Sequence, residues 1–184
     1  MSQKTQDLLS QHVAQVESVL QRLTPYLASG PSDPRAYIER GMAYFKLGRI
    51  AESIADFDAA ERLNPALTPR LWQRGLAYYY AERFAEGAQQ FEVDLTVNQH
   101  DVEETVWRYL CQAQMHGAQV ARDRLLPVKH DPRPVMHWIY KLFTGACDTL
   151  EFLAQYGTAP AEERFYSALY AGLYCEATQD STGA

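Results

Sequence analysis

The sequence predicts an all-α chain of about ten helices arranged as antiparallel pairs, on three observations. A stretch beginning at Pro34 repeats without a gap at an offset of 34 residues. Each copy carries two apolar stripes at the three-and-four-residue spacing of a helix face. Glycine and proline punctuate those stripes where helices would turn or stop. A period of this length is the signature of a repeat architecture, in which each helix pair buries its apolar side against the next.

Taken in order, Asp7 to Leu23 presents Leu9, Val13, Val16, Leu20 and Leu23 on one face, and Pro25 with Ser29, Gly30, Pro31 and Ser32 forms a linker. Residues 1–30 are therefore expected to be an N-terminal amphipathic helix and its connection, packed as a cap or elsewhere. Residues 31–184 form the helical repeat domain. Its first regular unit, 34–67, sets Tyr37, Gly41 and Tyr44 on one stripe. After a turn at Leu47, Gly48 and Arg49, it sets Ile50, Ile54 and Phe57 on a second, which Pro65 stops. The second regular unit, 68–101, pairs Gly75 with Gly41, Ala77 with Ala43, Tyr78 with Tyr44, Arg83 with Arg49, Phe91 with Phe57 and Asn98 with Asn64. A glycine inside a helix costs roughly 1 kcal/mol relative to alanine. Its recurrence at one phase beside aromatic residues implies the close approach of a neighbouring helix.

Beyond residue 101 the pattern degenerates. Unit 102–131 holds the amphipathic stretch from Asp101 to Met115, with Tyr109 in the glycine slot, then Gly117 and a short helix from Ala118 to Leu126. The breaker-rich stretch from Pro127 to Pro134 leads into unit 132–160, which turns near Gly145. Unit 161–184 offers one more leading helix, with Gly172 in the glycine slot and no second helix after it. Tyr166, Tyr170 and Tyr174 recur there every four residues beside Leu169 and Leu173, an end too apolar for a terminal cap. Either a homodimer covers it through those tyrosines or the natural chain continues past Ala184.

The two regular units resemble the tetratricopeptide repeat family. The resemblance rests on Tyr37, Gly41, Tyr44, Ser53, Phe57, Ala60 and Pro65 in the first copy and on Leu71, Gly75, Tyr78, Gly87 and Phe91 in the second. The second copy departs from it with Asp94 and Gln99 in place of a small residue and a proline. The resemblance implies a right-handed superhelix of helix pairs whose leading helices line a concave groove. The groove positions it implies are Arg35, Ile38, Met42, Phe45 and Lys46, then Pro69, Trp72, Leu76, Tyr79 and Tyr80. That lining is apolar for a surface open to water, and leaving it bare forgoes several kcal/mol at about 25 cal/mol per Å². A protein or peptide partner supplying an apolar helix or extended segment would cover it, making the chain a non-enzymatic interaction module or assembly scaffold. The alternatives are a structural subunit whose groove the chain fills itself and, behind it, a metal-dependent hydrolase built on the helical scaffold. The family's carboxylate clamp, which places a lysine and an asparagine where Ile38 and Met42 stand, is not expected.

Other chemistry finds little support. The chain has 184 residues and a net charge of −6, which argues against phosphate backbones and anionic lipid as partners. No apolar run reaches the length of a membrane span, and Met1 to Gln11 lacks the pattern of a secretory signal. Cys111, Cys147 and Cys175 are few and unpaired by motif, fitting reduced buried thiols in the cytoplasm or another reducing compartment. His100-Asp101 and His130-Asp131 superficially resemble the doublets of metal-dependent hydrolases, but each Asp stands where a helix cap would, with Pro132 at a favoured first helical position. His12, His116 and His137 lack ligand spacing, so no metal and no cofactor is expected. Arg122, Arg124, Lys129, Arg133 and Lys141, interleaved with Trp138 and Tyr140, form a basic cluster that Asp123 and Asp131 interrupt, which reads as a solvated face.

Overall fold

The Asp33 carboxylate accepts the Arg35 amide at 3.0 Å and Pro34 occupies the first turn, so a helix begins where the first repeat begins. The computed structural model describes residues 3–30 and 33–179. Among the described residues there are ten α-helices, one 3-10 helix and no strand. The helices are α1 (Gln3–Ala28), α2 (Pro34–Lys46), α3 (Ile50–Leu63), the 3-10 helix Pro65–Arg70, α4 (Trp72–Tyr80), α5 (Phe84–Asp94), α6 (Val102–His116), α7 (Ala118–Asp123), α8 (Pro134–Thr144), α9 (Thr149–Ala154) and α10 (Ala161–Thr178). The chain divides into two compact units, Met1–Arg83 and Phe84–Ala184.

In the first unit each helix packs on its sequence neighbour, α1 on α2, α2 on α3 and α3 on α4. The α2–α3 pair is antiparallel, with Gly41 facing Asp56 and Phe57 across the turn. A Cβ at Gly41 would lie 3.3 Å from the Asp56 Cβ and 3.3 Å from the Phe57 ring, which is the close approach the glycine phase predicts. Arg40 locks the same level with a two-pronged bond to Asp56, at 2.7 Å on each prong. The turn that follows is built twice. Arg49 returns its amide to the Tyr44 carbonyl and lays its guanidinium 4.4 Å over the Tyr44 ring; Arg83 does the same with Tyr78 at 4.5 Å. The left-handed residue at this turn is Gly48 (φ 71°) in the first copy and Glu82 (φ 58°) in the second, which a non-glycine residue adopts at a cost of about 1 kcal/mol.

Gly41→Ala would gain about 1 kcal/mol in an open helix. Here the methyl meets a fully buried ring and an ion-paired aspartate, so the substitution is expected to lower stability by about 1 kcal/mol. A lowered urea midpoint of the full chain checks this; a raised one would mean that Phe57 yields.

The expectation that α1 ends before Pro25 is corrected: α1 runs through Pro25 to Ala28. Proline removes one helical bond at a cost of about 3 kcal/mol. Leu27, one turn beyond Leu23 on the same face, is buried with Leu23 and Ala36, and Val19 and Tyr37 pack against that cluster. Burying a leucine returns about 1.5–3 kcal/mol. Toward its start α1 outruns its partner: 26 residues against 13 leave Leu8 and Leu9 exposed.

In the second unit α6 is the hub, contacting α5, α7, α8 and α10. Asp101 caps it, accepting the Glu104 amide at 2.9 Å. Asp131 does not cap its own helix, and Pro132 is not at a first helical position, contrary to the sequence reading. Arg133 precedes a second proline, Pro134, which holds it extended (φ −85°, ψ 114°), so α8 starts only at Pro134. The Asp131 carboxylate accepts instead the Val102 amide at 3.2 Å, a second cap on α6 from a distant part of the chain.

The closing helix α10 packs on α6 and α8 as well as on α9, rather than on a sequence neighbour alone. Its tyrosines, read as a surface for a second copy, are largely spent inside the unit. Tyr170 is 1% exposed and donates to Glu103 at 2.8 Å. Tyr174 accepts from Arg122 at 2.8 Å and meets the Phe143 ring edge-on, and Tyr166 stacks on Tyr170. All three cysteines are free and buried, and burial pushes the Cys111 thiol up to about 12.

Candidate functional site

Residues 35, 38, 42, 45 and 46 fall on one stripe of α2, and residues 72, 76, 79 and 80 on one stripe of α4. Arg35 and Lys46 are exposed at the ends of the first stripe, and Ile38, Met42 and Phe45 between them are half-buried. On α4, Trp72 is 40% exposed, Tyr80 is 53% exposed and Leu76 is half-buried. Pro69 is half-buried in the 3-10 helix that precedes α4. Phe45 and Tyr80 bring the two stripes together, their rings edge-on at 5.7 Å between centroids. Tyr79 is placed differently from its neighbours: it is 7% exposed, and it supports the Tyr80 ring edge-on at 5.7 Å rather than presenting a face of its own.

The register of α4 against α3 is fixed by charge. Arg74 is buried and donates to Asp58 at 3.0 Å and to both oxygens of Glu61 at 2.7 and 2.9 Å. Those bonds, with the Thr68 hydroxyl, outweigh burial and hold the Glu61 carboxyl down at about 2. The same device recurs one period later within the second unit, where Arg108 reaches back sixteen residues to Glu92 at 2.7 and 2.9 Å, as Arg74 reaches back to Asp58. Arg74 and Arg108 stand 34 residues apart, and Asp58 and Glu92 likewise; Arg40, one period earlier, reaches forward instead to Asp56. This ladder escapes a reading built on apolar stripes. Following the charged residues at the repeat offset would have found it, and it extends the period into unit 102–131.

The helix α1 does not lie over the stripes. It packs through Leu23 and Leu27 on Ala36 and Tyr37, as α3 packs on α4 one helix pair further along. Residues 34–67 match the family model of the tetratricopeptide repeat. The chain carries a tetratricopeptide repeat at these residues. No curated protein matches it. The repeat suggests a protein–protein interaction module, and the family is generally a non-enzymatic scaffold.

The remaining residues singled out in the sequence have local duties in this repeat protein. Asp101 and Asp131 are helix caps, and His100 and His130 are exposed. Among the described residues no group of three or more His, Cys, Asp or Glu is arranged to hold a metal ion. No described helix is long and apolar enough to cross a membrane. Much of the basic cluster is used internally, Arg133 binding Asp101, Glu103 and Asp131, Arg122 binding Tyr174, Lys141 sitting 4.2 Å over the Trp138 ring and Tyr140 donating to the Leu126 carbonyl, while Arg124 and Lys129 are exposed. What the α2–α4 face offers is therefore apolar contact area with cations at its edge, and no nucleophile with a base beside it.

Proposed function

We infer that this protein is a non-enzymatic interaction module or assembly scaffold that takes an apolar peptide or helix of a partner protein along the face shared by α2 and α4. Ile38, Met42, Phe45, Trp72, Leu76 and Tyr80 are the apolar anchors, Tyr79 the support behind them, and Arg35 and Lys46 the polar edge. The observation that carries the reading is the exposure of Trp72 and Tyr80 at the two ends of one α4 stripe, with the Phe45 ring of α2 edge-on to Tyr80. Tryptophan and tyrosine are the residue types in which binding energy concentrates, and each contributes about 2 kcal/mol when a partner desolvates it. The exposure of both rings speaks against a groove filled by the chain itself.

The test is a paired substitution, Trp72→Ala with Tyr80→Ala. Because both side chains are exposed, the variant is expected to keep the helical content and, within about 1 kcal/mol, the stability of the wild type. It is expected to lose at least about thirtyfold in affinity for a partner captured by the wild type. A folded variant that retains the same partners at the same affinity would remove this face from consideration. Unfolding of the variant would instead assign the two rings to the core.

A further inference from the structure

The 34-residue period extends backwards into α1. Val16, Leu20, Leu23 and Pro31 stand one period before Ile50, Ile54, Phe57 and Pro65, and α1 packs on α2 as α3 packs on α4. From Val16 onwards α1 is therefore the second helix of a repeat. A second helix carries its own leading helix folded back on it, as α3 carries α2, with Gly41 against Asp56 and Phe57. Residues 3–15 stand where that leading helix would, yet they run straight on. Val13, Ala14 and Gln15 continue α1 where Leu47, Gly48 and Arg49 turn the chain. The wall left behind is bare. Asp56, Phe57 and Ala60 are buried on α3, whereas of their counterparts Arg22, Leu23 and Tyr26 only Leu23 is. Those three line one side of a cavity of about 500 Å³, with Ala36 and Glu39 of α2 also lining it. Meanwhile the straight segment, about 20 Å long, exposes Leu8 and Leu9.

We propose that this slot takes residues 3–15 of a second copy of the chain, two copies exchanging these segments about a two-fold axis near Ala14. The repeat register argues for a second copy over another partner. The segment adjoins the slot in the order of a leading helix, and its straightness carries it away from its own wall, so exchange between copies restores the ordinary helix pair. Two antiparallel α1 helices also set the rest of each copy at opposite ends, where they do not collide. The charges agree. At the register that Gly41 keeps on α3, Asp7 of one copy stands over Arg22 and Leu23 of the other, an acid and an arginine at the level where Arg40 and Asp56 pair one period on. Lys4 and Asp7 cancel within the segment, so the chain's net charge of −6 is not concentrated there to oppose the contact. Leu8 and Leu9, one period before Met42 and Ala43, leave water in the process.

Sedimentation of the full chain is expected to show a dimer that Leu8→Glu/Leu9→Glu weakens at least about a hundredfold, with helical content unchanged. A mixture of two variants, Asp7→Cys and Arg22→Cys, should form on oxidation a disulfide-linked dimer that neither forms alone. Along one straight α1 those positions lie roughly 22 Å apart, too far for a bridge within the chain, and the native cysteines are buried. A chain that stays monomeric at millimolar concentration would overturn the inference. So would a dimer indifferent to Leu8→Glu/Leu9→Glu, which moves the interface away from the segment, and a dimer that is lost to it but forms no mixed disulfide, which moves the segment away from the slot. An Asp7→Cys/Arg22→Cys variant that closes a bridge as a monomer would overturn it too, by showing the segment folded back on its own wall.

Discussion

Replacing Arg133 with methionine is expected to cost the second unit about 3 kcal/mol and to loosen α8 from α6. Arg133 is bound to three carboxylates: Asp131 at 2.8 and 3.0 Å, Glu103 at 2.9 Å and Asp101 at 3.0 Å. Two of those carboxylates cap α6, and the third accepts the Tyr170 hydroxyl from α10. Methionine preserves much of the stem and removes the charge, leaving three acids facing one another, one of them with a side chain only 2% exposed. Breaking a buried pair costs about 3–5 kcal/mol, and the partial exposure of Arg133 places the expectation at the lower end. Arg133→Lys restores the charge without the fork and should recover about half. Burial pushes the Asp131 carboxyl up, but its bonds to Arg133 outweigh that and leave it below the usual carboxylate range. A depressed acid contributes stability above its unfolded pKa and loses it as pH falls. The variant should therefore lose most at neutral pH and converge on the wild type in acid, as urea midpoints across that range would measure. An unchanged neutral midpoint would mean that the three acids are relieved some other way.

The elements that sequence made legible are those whose cause is local. Gly41 beside Phe57 and the Leu47–Arg49 turn recur at one offset because each repeat solves the same packing problem, and period alone exposes them. Gly145 ends α8 in a left-handed conformation (φ 77°), as a glycine after an apolar run announces. What escaped depends on partners distant in sequence. Pro25 reads as a stop unless the packing of Leu27 on Ala36 is known. Pro132 is the exception, a misreading with a local cause: Pro134 holds Arg133 extended, and that proline stands in the sequence. The stripe of Tyr166, Tyr170 and Tyr174 has one spacing in sequence, whereas its burial differs along it, Tyr170 being closed in against Glu103 of α6 and Tyr166 and Tyr174 half-buried. The candidate site divides in the same way. Its positions follow from the repeat phase, whereas the burial of Tyr79 beside the exposure of Tyr80, one residue on, does not.

Glu104→Gln is expected to stabilise the protein at pH 8, by at most about 3 kcal/mol, and by nothing measurable at pH 4. Glu104 is 8% exposed on α6, and one of its carboxylate oxygens has no hydrogen-bond partner. Burial, reinforced by the charges of Asp101 and Asp94, raises its pKa from 4.5 to about 7, against a single long bond of 3.4 Å from Asn98. The sign follows from proton binding. Between about 4.5 and 7 the folded chain holds a proton at Glu104 that the unfolded chain has released, so stability falls as pH rises through that window and the full penalty stands above it. A shift of this size corresponds to about 3 kcal/mol, the upper bound of the gain on removing the ionisable group. Glutamine keeps the length and polarity of the side chain and carries no charge to desolvate. Urea midpoints at pH 4, 6 and 8 should therefore separate progressively in the variant's favour. Coincident midpoints at pH 8 would show that the carboxylate is solvated. A variant less stable at every pH would show that the ionised carboxylate holds a structural bond that an amide cannot replace.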